Sequence, residues 1–238
     1  MSAHAGFDRS EYPGDNLMQW LWDNTNLAWT GFYLAPAPSH PNAGWMGTRQ
    51  FLSALGWGFA PLYLGQQAQG PGSHVLNSLQ GYFDGIEAAS LALRAGFPSH
   101  SVIYLDIEQG PPLGQPAADY YKSWVQGVFD QGYYPGVYCS YLLASELDAI
   151  DHRPVTWTFH LKYPKQTYQD PLPTPDPSKS GYSSASVWQL MQGGSIRVQD
   201  DNGLYRTLSP VDLDSADTAD PSNFTNLVQV GFYTQGHK

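Results

Sequence analysis

The chain contains 238 residues, of which 42% are hydrophobic and 14% aromatic, so it is long and apolar enough to bury the core of one large domain. Its formal net charge of -10 argues against a nucleic-acid partner, because such binding needs many basic residues to neutralise phosphates. No apolar run approaches the ~20 residues that a membrane-spanning helix needs, so no membrane partner is expected.

The cysteine content and the first residues give little information about the cellular compartment of the protein. Cys139 is the single cysteine, which excludes an intrachain disulfide and a cysteine-rich metal site. The stretch MSAHAGFDRS has neither the basic nor the apolar region of a signal peptide. We expect one domain over residues 1–238, with its core between about 5 and 217. The sequence predicts no oligomeric state.

Short β-type runs alternate with helical stretches in the first half of the chain. Strands are predicted at 3–9, 27–35, 59–67 and 101–108, and helices at 15–25, 47–56, 78–98 and 117–131. The third helix is the clearest, because its apolar residues recur every three or four positions, with Ser78 as a plausible N-cap. This helical stripe consists of Leu79, Phe83, Ile86, Ser90 and Leu93.

Four more strands are predicted in the second half, at 133–141, 154–163, 184–192 and 209–217. Residues 164–183 form a Pro/Ser-rich loop that is unsuited to a regular helix, and a linker between two domains is the alternative interpretation. Parallel strands need crossover connections. The pattern therefore predicts an α/β fold, a (β/α)₈ TIM-like barrel that is irregular, with helix-poor crossovers in its C-terminal half.

Acidic residues fall at the ends of several predicted strands. In SVIYLDIEQG, side-chain alternation puts Asp106 and Glu108 on one face at the C-terminal end of strand four, where barrel enzymes build their sites. Asp8 ends strand one, and Asp212 lies on strand eight, which would neighbour strand one in a closed barrel. Each acid alone could be a helix cap or a loop charge. That simpler interpretation suits Asp214, Asp217 and Asp220 best.

Together these acids suit glycoside hydrolysis. Crowded carboxylates raise one another's pKa, and this chemistry needs one protonated acid beside a second carboxylate. Glu108 is the candidate proton donor, with Asp106, Asp8 and Asp212 as catalytic neighbours that keep it protonated. The Cα atoms of residues i and i+2 on a strand lie roughly 6.5 Å apart, which does not separate retaining from inverting geometry.

Aromatic residues on predicted strands offer a platform for sugar rings. The candidate substrate-binding residues are Trp157, Trp188, Tyr63, Tyr138, Gln66 and Asp214. The alternative for the four rings is packing inside the barrel, since aromatic residues are frequent in cores.

The motifs GFDRS, YLDIE, YYPGVYCS, VWQL and VDLD resemble, in order, those of glycoside hydrolase family 25. These enzymes are N-acetylmuramidases that cleave peptidoglycan on an irregular β/α barrel. The first half of the chain looks closer to a sister group, the bacterial glycoside-hydrolase-like TIM-barrel domains of unknown function, which include exported actinobacterial cell-envelope proteins. The resemblance implies that Glu108 is the general acid, Asp106 its paired carboxylate, and Asp8 and Asp212 the flanking acids.

Two departures from the muramidase pattern suggest a different glycan preference. The Thr-Glu-Gly-type turn after strand two is absent, and Leu64 to Gln67 stand where muramidases tend to place a histidine. Three functions therefore stay open. They are a glycosidase without cofactor or metal acting on peptidoglycan or a related β-linked polysaccharide, a non-catalytic glycan-binding or envelope module, and a hydrolase whose Asp8, Asp106 and Asp212 hold Mg²⁺ or Ca²⁺. A cell-wall target implies an extracytoplasmic location.

Overall fold

The computed structural model describes residues 3–200 and 202–223 as a mixed α/β fold. Its strands are β1 (His4–Asp8), β2 (Leu27–Tyr33), β3 (Gly58–Tyr63), β4 (Val102–Ile107), β5 (Tyr134–Ser140), β6 (Val155–Phe159), β7 (Thr167–Tyr168), β8 (Ala185–Gln199) and β9 (Tyr205–Ala216). Its helices are α1 (Asp15–Asn24), α2 (Arg49–Leu55), α3 (Ser78–Arg94), α4 (Gln115–Asp130) and α5 (Ala144–Ile150). None of these helices is long and apolar enough to cross a membrane.

The nine strands form one sheet, and eight of them close into a ring. The order around the ring is β1 to β6, then β8 and β9, and β9 pairs back onto β1, while β7 adds to the edge of β8. All ring neighbours are parallel except β9, which runs antiparallel to both β8 and β1. The structure thus departs from the strictly parallel (β/α)₈ arrangement in its last strand.

A hairpin explains the reversed direction of β9. Strands β8 and β9 are joined by a short turn in which the Asp200 carboxylate accepts hydrogen bonds from the backbone N–H groups of Asn202 and Leu204. A turn this short can connect only antiparallel strands. Both strands extend beyond the predicted ranges of 184–192 and 209–217, because the hairpin continues the pairing out to Gln199 and Tyr205.

The connections follow the predicted pattern in the first half and become poor in helix in the second. The sequence analysis missed the short helix α5, whereas the four helices that it predicted are present. Between β6 and β8 the chain forms only β7 and a single 3₁₀ turn at Pro177–Lys179. Hydrogen bonds tie this segment to the start of β2, where the Asn26 side chain bonds both backbone groups of Leu172.

Aromatic side chains fill the interior of the ring. Trp29 on β2 and Trp157 on β6 belong to strands that are not neighbours, yet their rings meet edge to face with centroids 5.6 Å apart. A Cβ atom at Gly6 on β1 would lie 2.1 Å from Cε2 of Trp29, so the glycine makes room for the indole. The ring interior is therefore a packed core beneath the C-terminal ends of the parallel strands.

Helices α3 and α4 pack through glycines rather than through the predicted apolar stripe. A Cβ atom at Gly81 would lie 2.2 Å from the Tyr120 carbonyl oxygen, and one at Gly85 would lie 2.5 Å from that of Trp124. This close approach turns Leu79, Phe83 and Leu93 towards solvent, where each is more than half exposed. The N-cap is Asn77, whose side chain accepts from the Gln80 N–H, so the assignment of Ser78 was one residue late.

Replacing Gly85 with alanine should therefore destabilise the protein, although alanine normally favours a helix by up to about 1 kcal/mol over glycine. We expect Gly85→Ala to lower the free energy of unfolding by roughly 1–3 kcal/mol, since its methyl group would overlap backbone atoms of α4. Urea denaturation measures the change. Ser90→Ala on the exposed face of α3 is the control, and equal stability of the two variants would contradict the packing argument.

Candidate active site

Five acidic side chains meet at one mouth of the ring, at the C-terminal ends of the parallel strands. Asp8 is the last residue of β1, Asp106 lies near the end of β4, and Glu108 follows just beyond it. The antiparallel β9 places Asp212 opposite Asp8 and Asp214 opposite Gly6. Side-chain alternation directs both β9 aspartates to the same inner face. The acids that the sequence predicted to converge are thus close together.

Asp8 is buried and holds one strong hydrogen bond. The Tyr33 hydroxyl donates to its Oδ1 at 2.5 Å, whereas Oδ2 is buried without a donor. Burial and then the charge of Asp212 raise the pKa of Asp8 to about 7, against the opposing effect of the Tyr33 hydrogen bond. Asp8 therefore changes its protonation state near neutral pH.

Asp212 is half-buried and better supplied with donors. Its Oδ2 accepts from Nε2 of Gln189 at 2.7 Å, and its Oδ1 accepts from the backbone N–H of Gly193 at 2.6 Å. Burial still raises its pKa above the ordinary value, although these hydrogen bonds and the nearby Lys165 counteract the shift. Gln189 in turn accepts from the Tyr138 hydroxyl, so one amide links Asp212 to β5.

Asp106 and Asp214 lie deepest among the acids. Oδ1 of Asp106 and both carboxyl oxygens of Asp214 are buried without a hydrogen-bond donor. Burial raises the pKa of both groups well above the ordinary value. The charge of Glu108 adds to the shift at Asp106, and that of Asp8 adds to the shift at Asp214. Burial without hydrogen-bond donors thus favours the protonated form of both carboxyls.

Glu108 occupies a different position from the four aspartates. It is exposed at the rim, and its charge contributes to the raised pKa of Asp106, Asp8 and Asp212. The sequence analysis expected those aspartates to be the charged neighbours of a protonated Glu108. The structure reverses the pattern of burial, because the strand ends bury the aspartates while Glu108 lies beyond the last hydrogen-bonded residue of β4.

Both tryptophans that were predicted to stack on a sugar lie outside the mouth. Trp157 is fully buried in the ring, with edge-to-face contacts to Trp29, Tyr104 and Tyr138, so it cannot stack on a bound sugar. Trp188 is buried on the opposite face of β8 from Gln189, and its N–H donates to the His160 carbonyl oxygen at 2.9 Å. The packing alternative is correct for both residues.

Tyr63 and Gln66 also point away from the acids. The Tyr63 hydroxyl donates to Glu87 on α3 at 2.7 Å, and Nε2 of Gln66 donates to Asp84 on the same helix at 3.0 Å. Asp214 lies within the acidic cluster but is fully buried, so it cannot contact a ligand, and it belongs to β9 rather than to a loop. Tyr138 lies among the acids, and burial and the charges of Asp8, Asp106, Asp214 and Asp212 all raise the pKa of its hydroxyl.

The sequence analysis missed three residues that shape the mouth. Tyr33 ends β2 and bonds Asp8, Gln189 bonds Asp212, and Nε2 of Gln67 donates to the Asp106 carbonyl oxygen at 3.3 Å. The position of Tyr33 as the last residue of its strand, like that of Asp8, could have identified the tyrosine. Side-chain alternation could have identified Gln189, because it puts Gln189 on the opposite face of its strand from Trp188. Nothing in the sequence distinguishes Gln67 from Gln66.

The loop interpretation holds for both remaining acids, because the segment that follows β9 contains Asp217 and then Asp220. The Asp220 carboxylate accepts hydrogen bonds from the backbone N–H groups of Phe59 and Ser222, at the opposite end of the ring from the mouth.

His160 stacks on Tyr141 with ring centroids 3.7 Å apart and bonds the Ser180 carbonyl oxygen. Across residues 3–200 and 202–223, no group of three or more His, Cys, Asp or Glu side chains is arranged to hold a metal ion.

Comparison with known proteins identifies the family and supports the fold. No curated protein matches the chain. An uncharacterised B. stearothermophilus protein superposes with a TM-score of 0.62 at 20% identity, over 92% of this chain and 99% of its own. The Mycobacterium tuberculosis Tat-secreted protein Rv2525c gives 0.58 at 16% identity, over 91% and 96%. The Clostridium perfringens spore cortex lytic enzyme SleM gives 0.58 at 13% identity, over 90% and 67%.

These structural likenesses fall below 25% identity and concern the fold alone. The family assignment comes instead from the sequence, because residues 21–201 match the model of one family over most of the chain. The match agrees with the glycoside-hydrolase-like group indicated by the motifs. The chain belongs to the family of the Rv2525c-like, glycoside hydrolase-like domain.

Proposed function

We propose that the protein is a glycoside hydrolase that cleaves a bacterial cell-wall glycan, peptidoglycan or a related β-linked polysaccharide, at the mouth of an irregular TIM-like barrel. One observation carries the proposal: carboxyl groups from β1, β4 and β9 crowd into a single mouth, where burial raises the pKa of four of them. Such crowding destabilises a fold, and glycoside hydrolysis is the chemistry that uses it.

The roles follow from exposure. Glu108 is the carboxyl at the rim that a glycosidic oxygen could reach, so we assign it as the proton donor. Asp106 is the paired carboxyl beneath it, and Asp8 and Asp212 face the pair from the β1–β9 closure on the other side of the ring. Tyr33 and Gln189 hold the two flanking acids in place through hydrogen bonds. No step requires a cofactor.

Cell-wall glycan is the substrate class that the relatives favour. One structural neighbour is named a spore cortex lytic enzyme, and another is a Tat-secreted protein. A substrate outside the cytoplasm would fit both. Tyr33 and Gln67 lie beside the acids where the sequence departs from the muramidase pattern, and we infer that the sugar is held differently on this side of the mouth.

A second candidate function is glycan binding without cleavage. The burial of Asp106 favours it, because a protonated carboxyl can exchange hydrogen bonds with sugar hydroxyls but provides no charged nucleophile. Release of new reducing ends from peptidoglycan separates the two functions. Binding of the glycan without any release would support the second.

Glu108→Gln should lower the rate of reducing-end release by about 100-fold or more, because glutamine cannot donate the proton. The assay uses purified peptidoglycan, with thermal unfolding to verify that the variant is folded. Glu87→Gln is the matched control, since Glu87 is an exposed acid on α3 outside the mouth. A Glu108→Gln variant that hydrolyses at the wild-type rate would remove Glu108 from the mechanism.

Tyr33→Phe should move the acidic limb of the pH–rate profile upwards by about one pH unit. The Tyr33 hydroxyl lowers the pKa of Asp8, and a hydrogen bond to a charged group contributes about 1.5–3 kcal/mol. The matched control is Tyr12→Phe, which removes a similar tyrosine–aspartate bond to Asp15 away from the mouth. An unchanged limb in Tyr33→Phe would show that Asp8 does not govern the profile.

Asp8→Asn should stabilise the fold at alkaline pH. Because the pKa of Asp8 is about 7 in the folded protein against 3.8 ordinarily, the unfolded chain loses this proton first as pH rises, and stability falls across that interval. The variant removes this loss. Its Tm should exceed that of the wild type by several degrees at about pH 8 and by little at about pH 4.

Differential scanning calorimetry at both pH values measures this shift. Asp119→Asn on the exposed surface of α4 is the control and should change the Tm little at either pH. If Asp8→Asn gave the same change in Tm at the two pH values, Asp8 would not carry a raised pKa.

A further inference from the structure

We propose that Asp214 is a positioning residue: its buried carboxyl retains a proton and donates a hydrogen bond to the Asp8 carboxylate. The pair itself follows from the described contacts. Its effect on turnover rests on the proposed function.

The surroundings of Asp214 cannot support a negative charge. The residue has no solvent exposure, and both its oxygens lack a hydrogen-bond donor. The two ion pairs found among residues 3–200 and 202–223, Arg9–Glu11 and Arg153–Asp151, do not involve it. An unpaired buried carboxylate costs several kcal/mol, so the group is neutral instead.

A neutral carboxyl brings a donor of its own, and Asp8 provides the acceptor. Asp214 lies opposite Gly6, two residues along β1 from Asp8 and on the same inner face, and each of the two carboxyls acts on the pKa of the other as a hydrogen-bonding partner. Oδ2 of Asp8 is also buried without a donor. A proton on one Asp214 oxygen therefore gives Oδ2 of Asp8 the donor that it lacks. The Tyr33 hydroxyl donates to the other oxygen, Oδ1 of Asp8.

The order of titration within the pair follows from the neighbours. Asp8 receives the Tyr33 hydroxyl, which stabilises its charge, and its pKa is raised to about 7. Asp214 faces the negative charges of Asp8 and Asp212, which raise its pKa more than the nearby indole N–H of Trp157 lowers it, and among the described residues that N–H forms no hydrogen bond. Tyr138 is the other titratable group that its charge affects. Asp8 thus ionises first, and Asp214 holds the shared proton.

The proton has a positioning effect on the mouth. Tyr33 and Asp214 approach Asp8 from two sides, so the carboxylate is fixed in one orientation opposite Asp212. The donated hydrogen bond also lowers the pKa of Asp8, which would otherwise be higher still. Asparagine could replace Asp214 in this role because its amide N–H is a donor of nearly the same shape, whereas leucine could not.

Infrared difference spectroscopy at about pH 8 tests the pair directly. We expect the spectrum of the wild type minus that of Asp214→Asn to contain the C=O band of a protonated carboxyl, with the shift in ²H₂O that marks an exchangeable proton. Asp84→Asn is the matched control. Asp84 is equally buried, but its oxygens already accept from Gln66, Gln80 and Tyr120, so its replacement should leave that band unchanged.

Stability gives a second readout that needs no activity. Asp214→Asn should fold with a Tm close to that of the wild type, and Asp214→Leu should be less stable, because leucine leaves Oδ2 of Asp8 without a donor. A wild-type minus Asp214→Asn difference spectrum without the protonated-carboxyl band would overturn the proposal. So would an asparagine variant that is no more stable than the leucine variant or does not fold.

Kinetics separates this inference from the proposed function. If the wild type releases reducing ends, Asp214→Asn should retain its rate within about threefold, and Asp214→Leu should shift the acidic limb upwards by about one pH unit. Equal profiles for the two variants would contradict the positioning role. If the wild type cleaves no glycan, the proposed function fails, and the infrared and stability results still decide whether Asp214 holds the proton.

Discussion

The mouth of the ring depends on the burial of carboxyl groups that form no ion pair among the described residues. Asp8, Asp106 and Asp214 are buried, Asp212 is half-buried, and none takes part in an ion pair within residues 3–200 and 202–223. Because no ion pair neutralises these carboxyl groups, protonation has to do so. The carboxyl groups retain their protons because burial excludes water from them. Stability is therefore lower here than in a neutral core, and the aromatic packing beneath the mouth has to compensate for it.

The direction of β9 makes this arrangement possible. An antiparallel strand beside β1 places Asp212 and Asp214 in register with Asp8 and Gly6, so two carboxyls of one strand face the end of its neighbour. The β8–β9 hairpin also gives Gly193 and Gln189, the two donors that bond Asp212. Below this level, contacts such as Trp29 against Trp157 hold opposite sides of the ring at a fixed separation. The rigid core thus fixes the spacing of the acids.

The sequence predicted the strands and the converging acids well, because strand ends and side-chain alternation are local properties. It did not predict which face of α3 is buried, since Gly81 and Gly85 create a helix contact that carries no hydrophobic signal. It also predicted that the aspartates would be the charged neighbours of Glu108, whereas the structure buries the aspartates and exposes Glu108. Whether Trp157 or Glu108 is exposed depends on how strands distant in the chain pack together, and no pattern within one strand contains that information.

We propose that a glycan binds to the protein at the acidic mouth. A crystal structure of the protein soaked with a peptidoglycan oligosaccharide tests this most directly. We predict a sugar chain across the mouth, with a glycosidic oxygen within hydrogen-bonding distance of the Glu108 carboxyl and the ring hydroxyls near Tyr33 and Gln67. An oligosaccharide bound on another surface, with Glu108 still open to water, would contradict the account.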